Sequence, residues 1–369
     1  MSFKLLHTDS KTEARVGKLK TRHGTVETPF FMPVGTKAVG KCIGTDDYLD
    51  MGANAIIANA FILSLNPGVD IIKDAGGLNK FMHYNKTIFT DCGGFQMLRQ
   101  SFLDGTSNQG ILFKDPFGGG KMVLTPKKIM DIEMDIGSDV AMVLDDVSPF
   151  GSPKEAFMHS LRNTHKWAEE CVKTHADKKQ LLFGITQGGT FKDLRVQSAK
   201  FLNKLDLDGM AIGGLCIGEP KETMREMVKA SIPHIDENKP RYLMGVGSPL
   251  DILDCISLGV DCFDSVFPTQ NARHGTMFTW NGKLDIARGK YKHDTSPLDE
   301  ECDCFVCKNF TRSYMHHLMK LGEPVGKRYR SYHNLYLLQR LMEKTRKAIR
   351  KNEFKDFKKE FAKKFNKYV

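Results

Sequence analysis

The sequence contains no long uninterrupted apolar run, and its first residues carry no targeting pattern. Although 41% of the 369 residues are hydrophobic, no stretch approaches the roughly 18 consecutive apolar residues of a membrane-spanning helix. Residues 1–10 lack the basic start and the apolar middle of a secretory signal. These absences argue against the membrane and secreted classes, so we expect a cytoplasmic protein without a membrane partner.

Cysteine is also sparse, and six of the nine cysteines show no regular spacing. A disulfide-rich extracellular domain needs a cysteine framework, whereas a reducing cytoplasm keeps scattered thiols free. The scattered set therefore suits the cytoplasm. It comprises Cys42, Cys92, Cys171, Cys216, Cys255 and Cys262.

The remaining cysteines, Cys302, Cys304 and Cys307, fall within six residues. Three thiolates and one imidazole form a complete tetrahedral zinc shell with no position for water, which is typical of a structural site. We predict one Zn²⁺ ion with His333 as the fourth ligand. The cluster points away from hydrolytic zinc chemistry, so the reactive groups have to be sought elsewhere.

Two alternatives to this zinc site stay open on the sequence alone. The spacing differs from the common Cys-x-x-Cys pair, so three free thiols in a loop are the simpler interpretation. The adjacent His316 and His317 are also candidates for the fourth ligand. At most one of them could bind, because neighbouring helical residues point in different directions.

The formal net charge is +10, and basic residues are concentrated near the C-terminus. From Arg340 onward, twelve Lys and Arg residues accompany four acidic ones. Phe354, Phe357, Phe361 and Phe365 recur at intervals of three or four, which predicts an amphipathic helix docked through an aromatic seam. Its opposite face would be a cationic surface suited to a polyanion, although an ordinary solvated lysine face fits the same pattern.

Short apolar runs alternate with amphipathic helical spans over most of the chain. Eight strand-like runs separated by helical connections predict an α/β fold, a (β/α)8 TIM barrel, with an open doubly wound sheet as the alternative. The predicted strands are Phe30–Val34, Ala55–Ala58, Thr87–Thr90, Val140–Leu144, Leu181–Thr186, Met210–Ile212, Tyr242–Met244 and Cys262–Phe263.

No internal repeat or linker divides the chain, so we predict a single domain over residues 1–369. It would include a small zinc-binding subdomain at 300–335 and a basic C-terminal helix at 336–369. The widest gap between strands, residues 101–124, is rich in glycine. This gap predicts an inserted hairpin or loop over one mouth of the barrel.

Polar residues and glycines follow the predicted strands at the point where each strand ends. In a parallel barrel these ends meet on one face, so residues distant in sequence would line one pocket. A single aspartate there more often caps the next helix, and a Gly-Gly pair often only turns the chain. The whole set together favours chemistry. It consists of Asp91, Asp145, Gln187, Gly213, Gly214, Met244, Gly245 and Asp264.

Several motifs occur in order along the chain. They are residues 90–96 (TDCGGFQ), 213–215 (GGL), 241–247 (RYLMGVG), 263–264 (FD) with 268–269 (PT), and the cysteine set with His333. Through them the chain resembles the queuine tRNA-ribosyltransferase family, also called tRNA-guanine transglycosylases, in its bacterial and eukaryotic branches. The resemblance implies a zinc-containing (β/α)8 barrel that exchanges guanine at the wobble position of tRNA for a 7-deazaguanine, in queuosine biosynthesis.

The exchange of one purine for another at a ribose needs a nucleophile for the anomeric carbon, and a carboxylate can serve. Asp264 matches the family's nucleophile, and Asp91 matches the general acid and base. Phe95 and Met244 would sandwich the base. The other residues implied for base binding are Asp145, Gln187, Gly213, Gly214, Leu215 and Glu219, and those implied for RNA binding are Gln270 and Arg273.

Several positions depart from the family pattern. Cys92 stands in place of a serine, Val147 in place of the cysteine of bacterial enzymes, and Gln270 in place of an arginine. Val147 resembles the eukaryotic enzyme, which uses queuine, but Ile217 is bulky where the eukaryotic pocket has glycine. Because overpacking of a rigid pocket costs about 1–3 kcal/mol, we expect the smaller base, 7-aminomethyl-7-deazaguanine (preQ1), rather than queuine.

Two other classes of function stay open. One is a non-catalytic tRNA-binding subunit, although the presence of both Asp91 and Asp264 argues against it. The other is a transglycosylase that inserts deazaguanines into DNA, although the intact zinc set favours tRNA. The expected partners are a tRNA with a GUN anticodon, the deazaguanine base and a second copy of the chain in a homodimer.

Overall fold

The computed structural model describes residues 2–94, 103–114 and 120–367. Eight parallel strands lie side by side in one sheet, and a parallel bridge between Val34 and Ile57 joins the first strand to the second. The sheet therefore closes almost completely, which confirms the (β/α)8 barrel over the open doubly wound sheet. The barrel strands are Phe30–Met32, Ala55–Asn59, Thr87–Asp91, Val140–Met142, Leu181–Thr186, Gly209–Ile212, Arg241–Leu243 and Cys262–Asp264.

Helices follow the barrel strands and pack their apolar stripes against them. The helix Lys221–Ser231, for example, buries Met224, Met227 and Val228, which share one face at helical spacing. The helices between and after the strands are Thr45–Asp50, Ala60–Leu63, Val69–Asp74, Leu78–Phe81, Pro126–Ile136, Lys154–Thr174, Lys192–Leu202, Lys221–Ser231, Pro249–Ile256 and Phe267–Arg273.

A small antiparallel sheet covers the amino-terminal end of the barrel, and the sequence analysis did not identify it. Its strands are Phe3–Thr8, Arg15–Thr21 and Gly24–Thr28. The side chains of Arg15 and Asp261 form a buried ion pair 2.5 Å long, and Asp261 directly precedes the last barrel strand. The sheet therefore stabilises the face opposite the strand ends.

The glycine-rich gap forms a three-stranded antiparallel sheet, composed of Leu103–Ser107, Gly110–Lys114 and Lys121–Leu124. Phe113 packs edge-on against Phe61, with ring centroids 4.7 Å apart. A Cβ at Gly94 would lie 3.5 Å from Ile111 and 2.9 Å from the Asp145 carbonyl oxygen. The insertion therefore lies beside the carboxyl ends of the strands, which identifies the mouth of the barrel that it borders.

The region after the barrel is mostly helical, and its longest helix runs from Pro324 to Arg350. The basic stretch predicted as one helix comprises the second half of this helix and a separate helix, because Asn352 takes a left-handed conformation with φ of 58°. The predicted boundary between 335 and 336 falls inside the long helix. The elements of this region are Thr276–Thr279, Gly282–Asp285, Phe305–Asn309, Arg312–Leu321, Pro324–Arg350 and Phe354–Phe365.

The last helix docks through its aromatic residues, as the sequence predicts. Phe365 packs against Phe278 with ring centroids 5.7 Å apart, and Phe361 packs against Trp280 at 5.9 Å. Lys358 on this helix pairs with Asp254 of the barrel at 2.7 Å. Among the described residues, no helix is long and apolar enough to cross a membrane.

Candidate active site and metal centre

Three aspartates lie at the carboxyl ends of the barrel strands. Asp91 ends the strand Thr87–Asp91, Asp264 ends Cys262–Asp264, and Asp145 follows Val140–Met142 by three residues. Burial and then the negative charge of Asp91 raise the pKa of Asp145 to about 7. The strands that lead to Asp91 and Asp145 are neighbours in the barrel, so the structure places the two carboxylates side by side at the strand ends.

Asp145 is held by two neighbouring side chains. The Gln187 amide Nε2 donates to its Oδ2 at 2.6 Å, and the Cys92 thiol donates to its Oδ1 at 3.3 Å. Cys92 therefore supplies the kind of donor that a serine hydroxyl would supply. These two hydrogen bonds fix the position of the carboxylate.

Gly213 and Gly214 complete this wall of the pocket. A Cβ at Gly213 would lie 2.9 Å from the Gln187 amide nitrogen, and a Cβ at Gly214 would overlap the Gln187 carboxamide oxygen. Gly214 also has φ of 63°, a conformation that favours glycine. The two glycines are required here because the backbone approaches Gln187 closely.

Among the residues that the structure describes, the hydrogen-bond donors to Asp264 all reach one of its carboxylate oxygens. Oδ1 accepts hydrogen bonds from the Tyr242 hydroxyl at 2.5 Å and from the Gly245 N–H at 2.9 Å. Among the described residues no donor binds Oδ2. Burial raises the pKa of Asp264, and the two hydrogen bonds oppose that rise because they stabilise the anion.

Two residues of this site went unassigned in the sequence analysis. Tyr242 donates its hydroxyl to Asp264, and burial, followed by the negative charges of Asp264 and Asp91, raises its pKa. Asn59 donates to Asp91 Oδ2 at 3.5 Å, while its own Oδ1 caps the following helix through the Ile62 N–H. Asn59 is the last residue of the strand Ala55–Asn59. The predicted strand ended one residue earlier, at Ala58, so Asn59 was not recognised as a polar residue at a strand end.

The segment after Gly214 forms the next part of the wall. The Glu219 carboxylate accepts hydrogen bonds from the N–H groups of Cys216, at 2.5 Å, and Ile217, at 3.1 Å. Leu215 is buried, and the Met244 sulfur lies 3.6 Å from the position a Cβ at Gly213 would take. Phe95, predicted to stack on the base opposite Met244, lies outside the described residues.

The two predicted RNA-binding residues lie on the helix Phe267–Arg273, which begins three residues after Asp264. Gln270 is exposed. Arg273 is half-buried, and burial lowers its pKa. This helix therefore presents one neutral and one cationic side chain beside the mouth of the pocket.

The predicted metal ligands meet in one buried cluster. The sulfurs of Cys302, Cys304 and Cys307 and an imidazole nitrogen of His333 lie within 4.8 Å of one another. His333 Nδ1 is 3.9, 3.4 and 3.3 Å from the three sulfurs in that order. These separations suit a tetrahedral zinc shell, in which the N–S edge is about 3.6 Å.

The surroundings of His333 explain its selection over the neighbouring histidines. Its Nε2 lies 2.8 Å from the Phe278 carbonyl oxygen, so an Nε2–H donor leaves Nδ1 as the ligand atom. His316 instead contacts the Ile286 carbonyl through Nδ1 at 2.7 Å, and His317 is exposed. Of the three histidines, His333 is therefore the one that the structure brings to the cysteine cluster.

At its strand ends the barrel carries the hydrogen-bonded carboxylate of Asp264, the second carboxylate of Asp91, and several amide and backbone groups. Such a set of groups is typical of a glycosyl-transfer enzyme. A family model described as "Queuine tRNA-ribosyltransferase" matches residues 9–367. The chain belongs to the queuine tRNA-ribosyltransferase family. It is a pentosyltransferase of the tRNA-guanine transglycosylase class.

Relatives at similar identity span nearly the whole chain. The chain is 46% identical to a queuine tRNA-ribosyltransferase of Halothermothrix orenii over 365 residues, which cover 99% of this chain and 98% of that protein. It is 45% identical to the protein of the same name from Bacillus subtilis, with 96% and 93% covered. A relative from Caldanaerobacter subterraneus subsp. tengcongensis is 45% identical, with 99% and 98% covered.

Proposed function

We propose that the enzyme exchanges guanine at the wobble position, G34, of tRNAs with a GUN anticodon for preQ1. The observation that carries the proposal is the hydrogen bonding of Asp264, in which both donors bind the same carboxylate oxygen. Tyr242 and Gly245 fix Oδ1, so Oδ2 is presented at the strand ends for attack on a ribose carbon. A carboxylate oriented in this way is suited to covalent rather than water-mediated displacement.

In the first half-reaction Asp264 Oδ2 forms a bond to the anomeric carbon of the ribose. The bond from that carbon to guanine N9 breaks, its electron pair goes to the base, and Asp91 supplies the proton that neutralises it. In the second half-reaction preQ1 gives its N9 proton to Asp91 and displaces Asp264 from the ribose. One acid and base group thus serves both halves.

Base recognition follows from the wall built around Asp145. This carboxylate would accept the N1–H and the exocyclic amine of guanine, while the Gln187 amide and the Gly214 N–H would donate to O6 and N7. Because the pKa of Asp145 is about 7, arrival of two donors from the base favours its ionised form. Met244 and Phe95 would sandwich the base.

The incoming base carries a cationic aminomethyl group, and the next segment offers acceptors for it. The Glu219 carboxylate lies against the segment that follows Gly214, where it accepts hydrogen bonds from the N–H groups of Cys216 and Ile217. Together with the Leu215 carbonyl oxygen it would receive the ammonium group. An anionic group at this position favours preQ1 over the neutral guanine that leaves.

The partners proposed for this chain are tRNA, the deazaguanine base and a second copy of the chain in a homodimer, in the cytoplasm. Gln270 and Arg273 lie beside the pocket mouth and would contact the anticodon loop. The basic face of the two C-terminal helices would add attraction for the phosphate backbone. Exchange of labelled guanine into tRNA, with none into duplex DNA, tests this choice of substrate.

We predict that the unmodified enzyme uses preQ1 well and queuine poorly, and that Ile217→Gly reduces the difference in kcat/KM between the two bases. The Ile217 N–H is held by Glu219, and its branched side chain would occupy space into which a substituent at the 7-position projects. Its removal should improve kcat/KM for queuine relative to preQ1 by about 1–3 kcal/mol. Steady-state kinetics with both bases measure this. Efficient queuine use by the unmodified enzyme would reverse the choice of base.

The ion in the metal centre is proposed to be zinc with a structural role. Three thiolates and one imidazole fill a tetrahedral shell, so no position remains for a reacting water. When bound, the ion would cross-link the 302–307 loop to the long helix through His333. Its contribution is then to folding free energy, and every chemical step remains with the side chains of the barrel.

We predict that Cys304→Ser loses stoichiometric zinc and lowers the thermal stability of residues 300–333, with an indirect fall in activity. His333→Ala should also lose zinc, whereas the matched variant His317→Ala should retain it, since His317 is exposed outside the cluster. Metal analysis of the three purified variants measures this. Full zinc in Cys304→Ser would contradict the proposed shell.

A further inference from the structure

Arg195 is a fully buried cation directly behind the pocket wall. It lies on the helix Lys192–Leu202 and has 0% of its surface exposed. All four hydrogen bonds that its guanidinium makes to described residues end on backbone carbonyl oxygens. The acceptors are Gly189 at 2.7 Å, Thr186 at 3.3 Å, Gly213 at 2.6 Å and Gly214 at 3.0 Å.

A buried guanidinium without a directly bound carboxylate has a large desolvation free energy. Cross-linking of the backbone alone would not require a charged group. Burial lowers the pKa of Arg195 to about 9, and the negative charge of Glu219 partly offsets this. The side chain therefore stays charged at neutral pH. Its positive charge is placed within hydrogen-bond distance of the Gly213 and Gly214 peptides, next to the groups proposed to read the base.

The Gly213 carbonyl belongs to the same peptide group as the Gly214 N–H. A cation bound to the oxygen of a peptide withdraws electron density from it and makes its N–H a stronger donor. In the part of the chain that the structure describes, no acceptor binds the Gly214 N–H. Gly214 packs closely against the Gln187 carboxamide, which is one of the groups proposed to read the base, so a base bound there would lie next to this donor.

We propose that Arg195 is a positioning residue that polarises the Gly213–Gly214 peptide, so that the Gly214 N–H stabilises the negative charge developing on O6 of the departing guanine. The inference rests on the proposed base exchange and deepens it. As the bond to N9 breaks, the electron pair spreads over the purine onto O6. A preorganised donor at that oxygen is then worth more in the transition state than in the ground state.

The role predicts a dependence on the atom at position 6 of the base. Replacement of O6 by sulfur keeps N1–H and the exocyclic amine but gives a much poorer hydrogen-bond acceptor. If Arg195 acts through the Gly214 N–H, the enzyme prefers the oxo base to its 6-thio analogue, and loss of Arg195 reduces this preference. If the role of Arg195 were purely structural, its loss would lower kcat/KM equally for both bases.

The test compares preQ1 with its 6-thio analogue in Arg195→Gln, which removes the charge, and in Arg195→Lys, which keeps it. Arg241→Lys is the matched control, because Arg241 is also a buried cation bonded to backbone carbonyls, those of Gly259 and Ile235, but it begins a barrel strand at the opposite end. Dissociation constants from titration calorimetry and kcat/KM are measured for each base.

In Arg195→Gln we expect the preference for the oxo base in kcat/KM to fall about tenfold, a fraction of the loss seen when a whole donor is removed. Arg195→Lys should lose less, and Arg241→Lys should keep the preference even if its stability falls. If Arg195→Gln does not fold, Arg195→Met, which also removes the charge, takes its place. Equal losses for both bases in the variant without the charge would overturn the inference. Failure of the unmodified enzyme to bind either base would overturn the proposed function, and the inference with it.

Discussion

Replacement of Asp264 by Asn is expected to lower base exchange by about 10⁴-fold or more, the scale of losing a covalent nucleophile. The variant should fold normally, because both hydrogen bonds from Tyr242 and Gly245 go to Oδ1, and an amide oxygen can accept both. Only the free oxygen, Oδ2, becomes an NH₂ group. The amide nitrogen cannot form the ester to ribose, so the loss would be chemical rather than structural.

The measurement is a single-turnover exchange assay together with a denaturing gel of enzyme mixed with tRNA. The unmodified enzyme should give a denaturation-resistant protein–RNA adduct when no incoming base is present, and Asp264→Asn should give none. Asp254→Asn is the matched control, since Asp254 lies on a barrel helix and pairs with Arg225 and Lys358 away from the pocket. Near-normal turnover in Asp264→Asn would show that another group attacks the ribose.

Replacement of Asp91 by Asn is expected to lower exchange by about 10²–10⁴-fold, the usual contribution of a general acid and base. An amide cannot supply the proton to guanine or accept one from preQ1. The contact with Asn59 can be kept, because the Asn59 amide donates to Asp91 in the structure. Binding of tRNA, measured by gel shift, should therefore be retained while the chemical step is lost.

The same variant has a second expected effect, on the titration of Asp145. Because the charge of Asp91 raises the pKa of Asp145, whose value is about 7, its removal should lower that pKa. Base binding, which needs the ionised carboxylate, is then lost at lower pH than in the unmodified enzyme. Calorimetric titration of preQ1 across pH 5 to 8 measures the midpoint. An unchanged midpoint would mean that the two carboxylates do not interact.

The strand ends and the three cysteines could be predicted from the sequence because their signals are local. Asp91, Asp145 and Asp264 each follow a short apolar run, and parallel strands in a barrel place such residues on one face. Three cysteines at short spacing likewise suggest a metal site. The choice of His333 over His316 and His317 is different, because it depends on the fold that brings His333 to the cysteines.

Features that depend on contacts between distant segments could not be predicted. Arg195 lies on a helix and reaches four carbonyl oxygens in other segments, and a buried arginine has the same appearance in sequence as an exposed one. The sequence of the small sheet at the amino-terminal end is typical of exposed strands. Its burial depends on contacts with distant residues, such as the ion pair between Arg15 and Asp261. The break near Asn352 depends on one left-handed residue within a strongly helical stretch.

The departures from the family pattern have different structural consequences. The Cys92 thiol donates to Asp145, which is a function that serine could also perform. Val147 is buried, and its side chain offers no polar contact. Gln270 is exposed beside Arg273, which places the loss of a cation at the mouth of the site rather than at its reactive centre.

Mass spectrometry of a GUN-anticodon tRNA after incubation with the enzyme and preQ1 tests the proposed base exchange. We expect one nucleoside, at position 34, to gain the mass difference between preQ1 and guanine, and free guanine to appear in equal amount. A tRNA without guanine at that position should be unchanged. An unmodified GUN tRNA, recovered after incubation with folded and metal-loaded enzyme, would contradict the proposed exchange.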